Sequence, residues 1–383
     1  MKKRLAVVIT HPIQYYAPVF RLLTSRGNIE LKVFYTWEQG AAQFDKGFAR
    51  ELAWDIPLLD GYEFEFVSNE GRMEKSFRSI RNPTLQKDIM HWRPDMILVY
   101  GWNYQSHLSA MRYFKGRIPV LFRGDSTLLN RKKGWKDFVK KQLLRFVYKH
   151  IDHALYVGTN NKAYFLEFGV QDEALSFVPH SIDNNRFAFP DENHLQFVQQ
   201  KKRELGLSPD KLTLLFVGKF QAQKDPVFFL DAIRSLNDPT IQLLMVGNGE
   251  FENELREKAA GNENIHFMPF QNQSVMPAIY RLGDIYCLPS CNETWGLAVN
   301  EAMAGERAIL VSDKVGCAAD LVKIGENGFV FQSGNIESLQ DAVKKMKNRN
   351  LVRQMGTRSG EIIKNWSVEK QVEAIEQVIL NKF

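Results

Sequence analysis

The feature that most constrains the fold is a series of short, continuously apolar segments that alternate with longer segments of mixed polarity. The segments at residues 5–9, 96–100 and 285–288 are rich in branched aliphatic and aromatic residues and do not alternate with polar ones. Such runs are typical of parallel strands covered on both faces, since a strand with one solvated face alternates. The sequence therefore predicts parallel sheets between layers of helices.

These apolar segments fall into two series, separated by a polar, turn-prone stretch at about residues 179–205. The first series is 5–9, 31–35, 96–100, 120–122, 154–157 and 175–178, and the second is 212–217, 243–246, 265–267, 285–288, 309–311 and 328–331. A chain of 383 residues also exceeds the usual size of one core. We expect an α/β protein with two Rossmann-like, doubly wound domains in tandem, over residues 1–185 and 205–365. Ligands of such domains bind outside the carboxyl ends of the strands.

The positive charge is concentrated in one segment. Residues 131–149 hold eight of the lysines and arginines and one acid, Asp137, whereas the rest of the chain is close to neutral. From Trp135 onward, apolar and basic residues fall on different sides of a predicted helix. Two interpretations stay open: a domain helix with its apolar side against the sheet and a solvated basic face, or a basic amphipathic helix on an anionic membrane surface. No recognised nucleic-acid motif is present, so we expect no nucleic-acid partner.

Cysteine content and the apolar segments bear on the compartment. Three cysteines are too few for a disulfide framework, and we interpret them as reduced packing residues of a cytosolic protein. The basic start is followed by an apolar run that breaks at His11 and Pro12 without a cleavage site, which favours a first strand over a signal peptide. No run approaches the length that spans a bilayer. We expect a cytoplasmic protein, peripheral on the inner membrane face if the basic helix contacts lipid.

The residues most typical of a binding site lie in the segment 292–304. Glu293 precedes a predicted helix and Glu301 lies in its second turn, with Gly296 at the turn between them. The first backbone N–H groups of that helix, at Gly296, Leu297 and Ala298, suit a phosphate, and carboxylates accept hydrogen bonds from sugar hydroxyls. Acidic residues are also common near helix N-termini for electrostatic reasons alone, so a structural role remains an alternative.

Two other predicted strand ends carry residues of the same kind. Lys219 and Lys224 follow the strand at 212–217, and two lysines there suit a diphosphate. The strand at 243–246 ends in the turn Gly247–Asn248–Gly249, which allows a close approach of a nucleotide to the backbone. Taken singly, these are equally typical of solvated loop lysines and of a plain tight turn. Their position at strand ends of one predicted sheet favours a shared site.

Five motifs between residues 212 and 331 then resemble a known family. In order they are G-K-F with K-D-P, V-G-N-G, Y-C-L-P-S, E-T-W-G-L-A-V-N-E-A-M-A and V-S-D-K-V-G-C-A-A-D-L-V. This order and spacing resemble the donor-binding half of the retaining glycosyltransferases of family 4, within the glycosyl transferases of group 1, which have the two-domain GT-B fold. The resemblance implies two domains that face each other across a cleft, and a last helix, residues 366–383, that packs back on the amino-terminal domain.

The resemblance also implies roles for the candidate residues. Glu301 would bind the ribose, Glu293 the transferred sugar, and Lys219 and Lys224 the diphosphate. Backbone contacts to the donor would come from Gly218, Gly247, Gly296, Leu297 and Ala298. Two segments depart from the family pattern: residues 11–14 replace a glycine-rich turn, and residues 123–126 replace a segment that often holds a histidine. Within the second of these, Asp125 is a candidate nucleophile, and a front-face reaction without a protein nucleophile is the alternative.

The function implied is transfer of a hexose or N-acetylhexosamine, with retention, from a nucleotide diphosphate sugar, expected to be UDP-linked. The acceptor implied is a glycan or lipid-linked glycan in cell-surface polysaccharide synthesis. No D-x-D motif occurs in the chain, so we expect no metal and no other cofactor, with the lysines and a helix N-terminus in the metal's place. The alternatives are another GT-B enzyme, such as a nucleotide-sugar epimerase, and a nucleotide-sugar-binding module without catalysis.

Overall fold

The computed structural model describes residues 2–37, 43–45, 50–52, 54–71, 76–189 and 191–383. The strands within these residues are β1 Lys3–Ile9, β2 Ile29–Tyr35, β3 Gln43–Asp45, β4 Arg50–Leu52, β5 Glu63–Phe66, β6 Met96–Tyr100, β7 Val120–Arg123, β8 His153–Tyr156, β9 Leu175–Phe177, β10 Leu212–Val217, β11 Ile241–Val246, β12 Ile265–Met268, β13 Ile285–Leu288, β14 Ala308–Ser312 and β15 Gly328–Phe331. The α-helices are α1 Ala17–Arg26, α2 Leu85–Trp92, α3 Gln105–Phe114, α4 Trp135–Tyr148, α5 Thr159–Glu167, α6 Asn184–Ala188, α7 Glu192–Glu204, α8 Pro226–Leu236, α9 Glu252–Ala259, α10 Met276–Tyr280, α11 Leu297–Ala304, α12 Ala318–Leu321, α13 Ile336–Lys345, α14 Arg349–Ile363 and α15 Val368–Lys382.

The first compact unit comprises residues 1–40, 57–180 and 367–383. Its parallel sheet has the strand order β5-β2-β1-β6-β7-β8-β9. Alternate residues of the central strands enter separate cores on the two faces, so that in β1 Ala6 and Val8 contact one core and Leu5 and Val7 the other. Because both faces are covered, the strands read as continuous apolar runs.

Helix α15 completes the core that contains Leu5 and Val7. Its apolar side chains, among them Val372, Ile375 and Ile379, are buried with residues of α1 and of the central strands. Ser367 precedes the helix, and its hydroxyl accepts a hydrogen bond from the Lys370 N–H and caps the first turn. Residues near both ends of the chain therefore share one core in this unit.

The second compact unit comprises residues 41–56 and 181–366. Its parallel sheet has the order β12-β11-β10-β13-β14-β15. One face packs against α8 and α13, which contribute Phe229, Leu230, Leu339 and Val343 to the core. The chain direction across the sheet reverses between β10 and β13, the position at which doubly wound sheets bind their ligands.

The unit boundaries differ from the expected domains in two places. The central segment of the first unit ends at His180, before the expected boundary at residue 185, because α6 packs against α10 and α11 of the second unit. Part of the segment 41–56 also groups with the second unit, where Asp55 accepts hydrogen bonds from the backbone N–H and the hydroxyl of Ser274. That segment carries the antiparallel pair β3–β4.

The predicted fold class is confirmed, since both sheets are parallel, doubly wound and flanked by helices. All twelve predicted strands are present with small shifts at their ends. The interpretation of α4 as a domain helix with its apolar side against the sheet holds for only part of that side. Leu144 and Val147 are buried, whereas Phe138, Val139 and Leu143 are exposed.

No helix among the described residues is long and apolar enough to cross a bilayer.

Candidate functional site

Two loops at the carboxyl edge of the second sheet meet beside the point where the strand order reverses. One loop follows β10 and the other follows β13. The Gln223 side-chain amide donates to the Asn292 carbonyl at 2.6 Å, and the Cys291 N–H donates to the Gln223 carbonyl at 3.0 Å. These bonds hold the loops together, and they fix Lys224 opposite Glu293.

Lys224 and Glu293 form an ion pair between these loops. Only 20% of the Lys224 side chain and 14% of the Glu293 side chain are exposed, so this pair is more sheltered than an ordinary surface pair. The Ser290 hydroxyl lies 3.4 Å from the same carboxylate oxygen. The structure thus brings together two candidate residues that are 69 positions apart in the sequence.

The Glu293 loop is held on its other side by the segment that follows β14. The Glu293 N–H donates to the Lys314 carbonyl at 3.1 Å, and the Gly316 N–H donates to the Glu293 carbonyl at 3.0 Å. Gly316 permits this approach, since a Cβ atom there would lie 1.8 Å from the Thr294 carbonyl oxygen. Glu293 is therefore positioned by backbone contacts on both sides.

Gly296 turns the chain into α11. Its φ of 99° lies in the left-handed region, and a Cβ atom would crowd Val315 and Leu288. Leu297 and Ala298 form the first turn of α11 and are partly exposed. N–H groups in a first turn have no acceptor within their own helix and carry the positive end of the helix dipole, which suits an anion.

Glu301 lies on α11 and is 97% buried, with 3% exposed. The Tyr280 hydroxyl donates to its Oε2 at 2.6 Å. Next to it on the helix, the buried Asn300 side chain accepts a hydrogen bond from the Trp295 indole at 3.0 Å. These contacts orient the helix and fix the direction of the Glu301 carboxylate.

The two glycines of the turn after β11 are explained by backbone packing, without a ligand. A Cβ atom at Gly247 would lie 1.9 Å from the Gly218 carbonyl oxygen, and one at Gly249 would lie 2.5 Å from that of Phe220. The Phe220 N–H donates to the Asn248 carbonyl at 2.9 Å. Both glycines thus allow the turn to pack on the loop after β10, which carries the partly exposed Lys219.

Asp125 belongs to the first unit and follows β7. Beside it, the guanidinium of Arg123 is buried and donates to the carbonyls of Val178 and Pro179 at 2.9 and 3.0 Å. The ring of Tyr16 stacks on that of His180 with centroids 5.9 Å apart, and burial raises the pKa of Tyr16 above its usual value. The carboxyl edge of the first sheet therefore combines aromatic rings, one buried cation and one partly exposed carboxylate.

Two of the three cysteines are packing residues as expected. Cys287 and Cys317 are buried, and burial raises the pKa of both thiols. Cys291 is exposed on the loop after β13, where its Sγ lies 3.4 Å from the Ala222 carbonyl oxygen. In the part of the chain that the structure describes, no group of three or more His, Cys, Asp or Glu side chains is arranged to hold a metal.

Sequence reasoning missed the residues that position the two glutamates. Tyr280, which orients Glu301, is 21 positions away from it, and nothing in the local sequence marks the contact. Gln223 and Ser290 are adjacent to motif residues but have no distinctive spacing of their own. Their roles follow only from the way that β10 and β13 lie side by side.

The sequence of the chain is similar to those of known glycosyltransferases. Residues 197–361 match the sequence profile described as Glycosyl transferases group 1. The UDP-Gal:alpha-D-GlcNAc-diphosphoundecaprenol alpha-1,3-galactosyltransferase of Escherichia coli is 23% identical over 374 residues, covering 85% of this chain and 95% of that protein. The phosphatidyl-myo-inositol mannosyltransferase of Mycobacterium leprae is 30% identical over 164 residues, 41% of this chain and 43% of that protein. Six further curated relatives are matched over less than half of their length.

The fold is similar to that of solved proteins. The structure of Anabaena HepE in complex with UDP and glucose aligns with a TM-score of 0.72 at 15% identity, over 100% of both chains. At that identity the likeness establishes the architecture of the chain and nothing about its substrates.

Proposed function

Since the chain belongs, through residues 197–361, to the glycosyl transferases group 1 family, we propose that it transfers a hexose or N-acetylhexosamine from a UDP-sugar to a lipid-linked glycan. The GT-B fold of that family accounts for the two doubly wound units. We further propose that transfer retains the anomeric configuration, as in family 4, and serves synthesis of a cell-surface polysaccharide at the cytoplasmic face of the membrane.

The observation that carries the proposal is the contact between Lys224 and Glu293 at the switch point of the second sheet. In a nucleotide sugar, the diphosphate is bonded directly to the sugar that is transferred. A cation for the diphosphate and a carboxylate for the sugar hydroxyls must therefore be neighbours. Lys224 and Glu293 meet that requirement, and the first turn of α11 adds backbone donors a few residues away.

The remaining donor contacts follow from the same arrangement. Glu301 binds the ribose hydroxyls through a carboxylate that Tyr280 holds in place. Lys219 supplies a second cation for the diphosphate. Negative charge that develops on the leaving diphosphate is stabilised by the two lysines and by the N-terminus of α11, which makes the reaction independent of a metal. Asp125 is the proposed nucleophile, and a front-face reaction without a protein nucleophile is the alternative.

The proposed acceptor class is supported by the relatives. The Escherichia coli relative, matched over 95% of its length, is named for a sugar on a diphosphoundecaprenol carrier. The Mycobacterium leprae relative is named for phosphatidyl-myo-inositol. Both names describe acceptors with a lipid anchor, and we propose an acceptor of that kind for this chain.

The test is a panel of UDP-, GDP- and ADP-sugars supplied with a polyprenyl-diphosphate-linked sugar acceptor. We expect transfer from one UDP-sugar, an α-linked product from an α-linked donor, and undiminished activity in a chelator. Conversion of the donor without transfer would indicate an epimerase, and nucleotide-sugar binding without any turnover would indicate a binding module. Either result would overturn the proposed transfer, while loss of activity in the chelator would overturn its independence from metal.

A further inference from the structure

Helix α4 has two apolar faces. Leu144, Val147 and Tyr148 are buried in a core of the first unit. A second set of apolar side chains is 45–74% exposed, and its members are Trp135, Phe138, Val139, Leu143 and Phe146. We call this set the outer face of α4. Five large apolar side chains exposed within one helix of 14 residues form a contiguous patch, and a patch of that kind marks an interaction surface.

The geometry of a helix separates these two faces almost completely. Successive residues of a helix are rotated by about 100° around its axis. Measured from Trp135, the outer face is centred at about 20°, close to Phe146. The buried residues are centred at about 175°, on the opposite side. The centre of the outer face therefore points away from the core, and only Leu143, at its edge, lies within about 40° of a buried residue, Val147.

Positive charge surrounds the outer face, and the acids nearby are already paired. Asp137 is bound by Arg131 at 2.7 Å, and Glu167 by Arg131 and Lys141. In the described part of the chain, no carboxylate oxygen lies within 4.0 Å of the other basic groups of this segment. These are Lys132, Lys133, Lys136, Lys140, Arg145 and Lys149. Lys136 lies on one flank of the outer face, Arg145 lies on the other, and Lys149 follows the carboxyl end of the helix.

This pattern selects one kind of partner. A second copy of the chain, related by a twofold axis, would bring the same cations against each other. A nucleic acid would leave the large aliphatic and aromatic side chains without an apolar environment. An anionic bilayer suits both the apolar side chains and the cations. The apolar side chains enter the boundary between headgroups and acyl chains, while the flanking cations stay among the phosphates.

We propose that the chain docks on an anionic lipid bilayer through the outer face of α4, with the helix axis parallel to the membrane surface. The exposed Trp135 lies at the start of the helix, and indole rings favour the headgroup level of a bilayer. This surface belongs to the first unit and involves none of the residues assigned to the donor. Its test needs neither a donor nor an acceptor, so failure of the docking and failure of the proposed transfer are distinguishable.

The first experiment is co-sedimentation of the full chain with phosphatidylcholine vesicles, with and without phosphatidylglycerol. We expect binding only to the anionic vesicles, weakened by salt. The double variant Phe138→Glu/Leu143→Glu should lower the partition coefficient at least about tenfold, because two apolar anchors are lost and two anions are added. The matched control is Phe189→Glu/Ile324→Glu, which changes two apolar residues elsewhere that are more exposed than Phe138 and Leu143, and it should bind as the parent chain does.

The contribution of the charges is tested separately. The triple variant Lys136→Gln/Arg145→Gln/Lys149→Gln should lose most of the preference for anionic lipid, at least about tenfold. Its control, Lys202→Gln/Lys323→Gln/Arg353→Gln, removes the same charge from exposed positions in the second unit. Equal losses in the two triple variants would mean that net charge alone drives binding, and they would overturn the assignment to α4.

Trp135 reports directly on insertion. On anionic vesicles its fluorescence, obtained as the difference between the parent chain and Trp135→Phe, should shift to shorter wavelength and be quenched by brominated phosphatidylcholine. An unshifted and unquenched signal would overturn the proposal. So would a lipid-free dimer, seen by analytical ultracentrifugation, that Phe138→Glu/Leu143→Glu dissociates, because the outer face would then be covered by a second copy.

Discussion

Two single residues, Lys224 and Glu293, offer the most direct test of the proposed donor site. Glu293→Ala removes the proposed ligand of the transferred sugar, and Lys224→Ala removes a cation from the diphosphate. We expect each variant to lower kcat/KM for transfer by at least about 100-fold, since groups that stabilise developing charge commonly contribute that much. Glu293 lies on a loop and Lys224 ends a short 3₁₀ turn, so circular dichroism should stay close to that of the parent chain, with only a modest fall in melting temperature from the lost ion pair. Lys323→Ala, at an exposed lysine of the same unit, is the control for charge. Full activity in either site variant would contradict the assignment.

Two buried tyrosines provide a matched pair for the role of Glu301. Tyr280 donates a hydrogen bond to Glu301, whereas the hydroxyl of Tyr286 has no partner among the described atoms, and the two rings pack at 5.5 Å. Tyr280→Phe should lower the free energy of unfolding by about 1–3 kcal/mol and weaken UDP binding, because a buried carboxylate loses a donor. Tyr286→Phe should be neutral or stabilising. Urea unfolding and titration calorimetry with UDP measure both effects, and similar losses in the two variants would argue against a specific role for Tyr280.

His107 makes the stability of the first unit depend on pH. Its Nδ1 lies 3.1 Å from the carbonyl oxygens of Tyr100 and Gly101, and its Nε2 lies 2.8 Å from the Thr36 hydroxyl. The carbonyls require a proton on Nδ1, so the neutral ring is satisfied on both sides. Burial lowers the pKa of His107 from 6.5 to about 4. As the pH falls below about 6.5, the unfolded chain binds a proton that the folded chain does not, and stability is lost.

The size of this effect follows from the two pKa values of His107. Between pH 7 and pH 5 the shift corresponds to about 2 kcal/mol of lost stability. His107→Gln should be less stable at pH 7 but should lose about 2 kcal/mol less over that interval. Hydrogen exchange of peptides from β1 and β6 measures the opening free energy of this unit. The exposed His91→Gln is the control, and a pH dependence of His107→Gln identical to that of the parent chain would contradict the linkage.

At the scale of the element, Gly316 couples two loops of the candidate site. A side chain at this position would strike the Thr294 carbonyl and crowd that of Glu293, and the shift would break two backbone hydrogen bonds, from Gly316 to Glu293 and from Cys317 to Trp295. Gly316→Ala should therefore cost about 1–3 kcal/mol and displace Glu293 from Lys224, with loss of transfer. Gly305→Ala is the control, because its φ is −78° and the nearest atom would lie at 3.4 Å. Gly305→Ala should change the free energy of unfolding by no more than about 0.5 kcal/mol. Equal melting temperatures and equal transfer activities in the two variants would contradict the role of Gly316 in joining the loops.

The strands were predictable from sequence because each is buried on both faces. In β6 every residue is buried, so apolar character is continuous and its limits coincide with those of the predicted segment. Strand β5 was not predicted, since Glu63 and Glu65 alternate with Phe64 and Phe66 at the sheet edge. Helix α4 was predicted as a helix, but the sequence alone did not say which apolar side faces the core. Both apolar faces have helical spacing, and only the position of the first sheet selects Leu144 and Val147.

At the same scale, the candidate site was predictable where the motif residues follow strands directly. Glu293 and Lys224 could be placed at the same edge because β10 and β13 were both recognised, although that they are neighbours depends on the strand order. Gly247 shows the limit of such reasoning. A glycine that permits a close ligand and one that permits a close backbone have the same sequence signature, and here the close backbone is that of Gly218.

At the scale of the whole molecule, the main feature is that elements near the two ends of the chain pack in one core. Helix α15 is separated from α1 by most of the chain, yet Val372 and Ile375 lie in the same core as Val19 and Phe20. Two side-chain contacts reinforce the docking at its rim, since Glu376 pairs with Arg26 at 3.2 Å and accepts a hydrogen bond from Asn28 at 3.0 Å. The first unit is therefore complete only when the last residues of the chain are in place, whereas the second unit is nearly continuous in sequence.

This asymmetry predicts a localised loss of structure when α15 is disrupted. Val372 is fully buried, and Val372→Asp places a carboxylate in an apolar core, which should destabilise the first unit by several kcal/mol. Hydrogen exchange should then accelerate in peptides from α1, β1 and β2, because these elements pack with α15. Peptides from β10, β11 and β13 should exchange as in the parent chain, since the described core that these strands form with α8 and α13 contains no residue of α15. Glu373→Lys, at the adjacent and partly exposed position, should change neither set of peptides beyond a small local effect of its lost pairing with Lys370. Equal acceleration in both units would mean that they unfold together, and no acceleration in α1 would mean that the helix is dispensable to the core it completes.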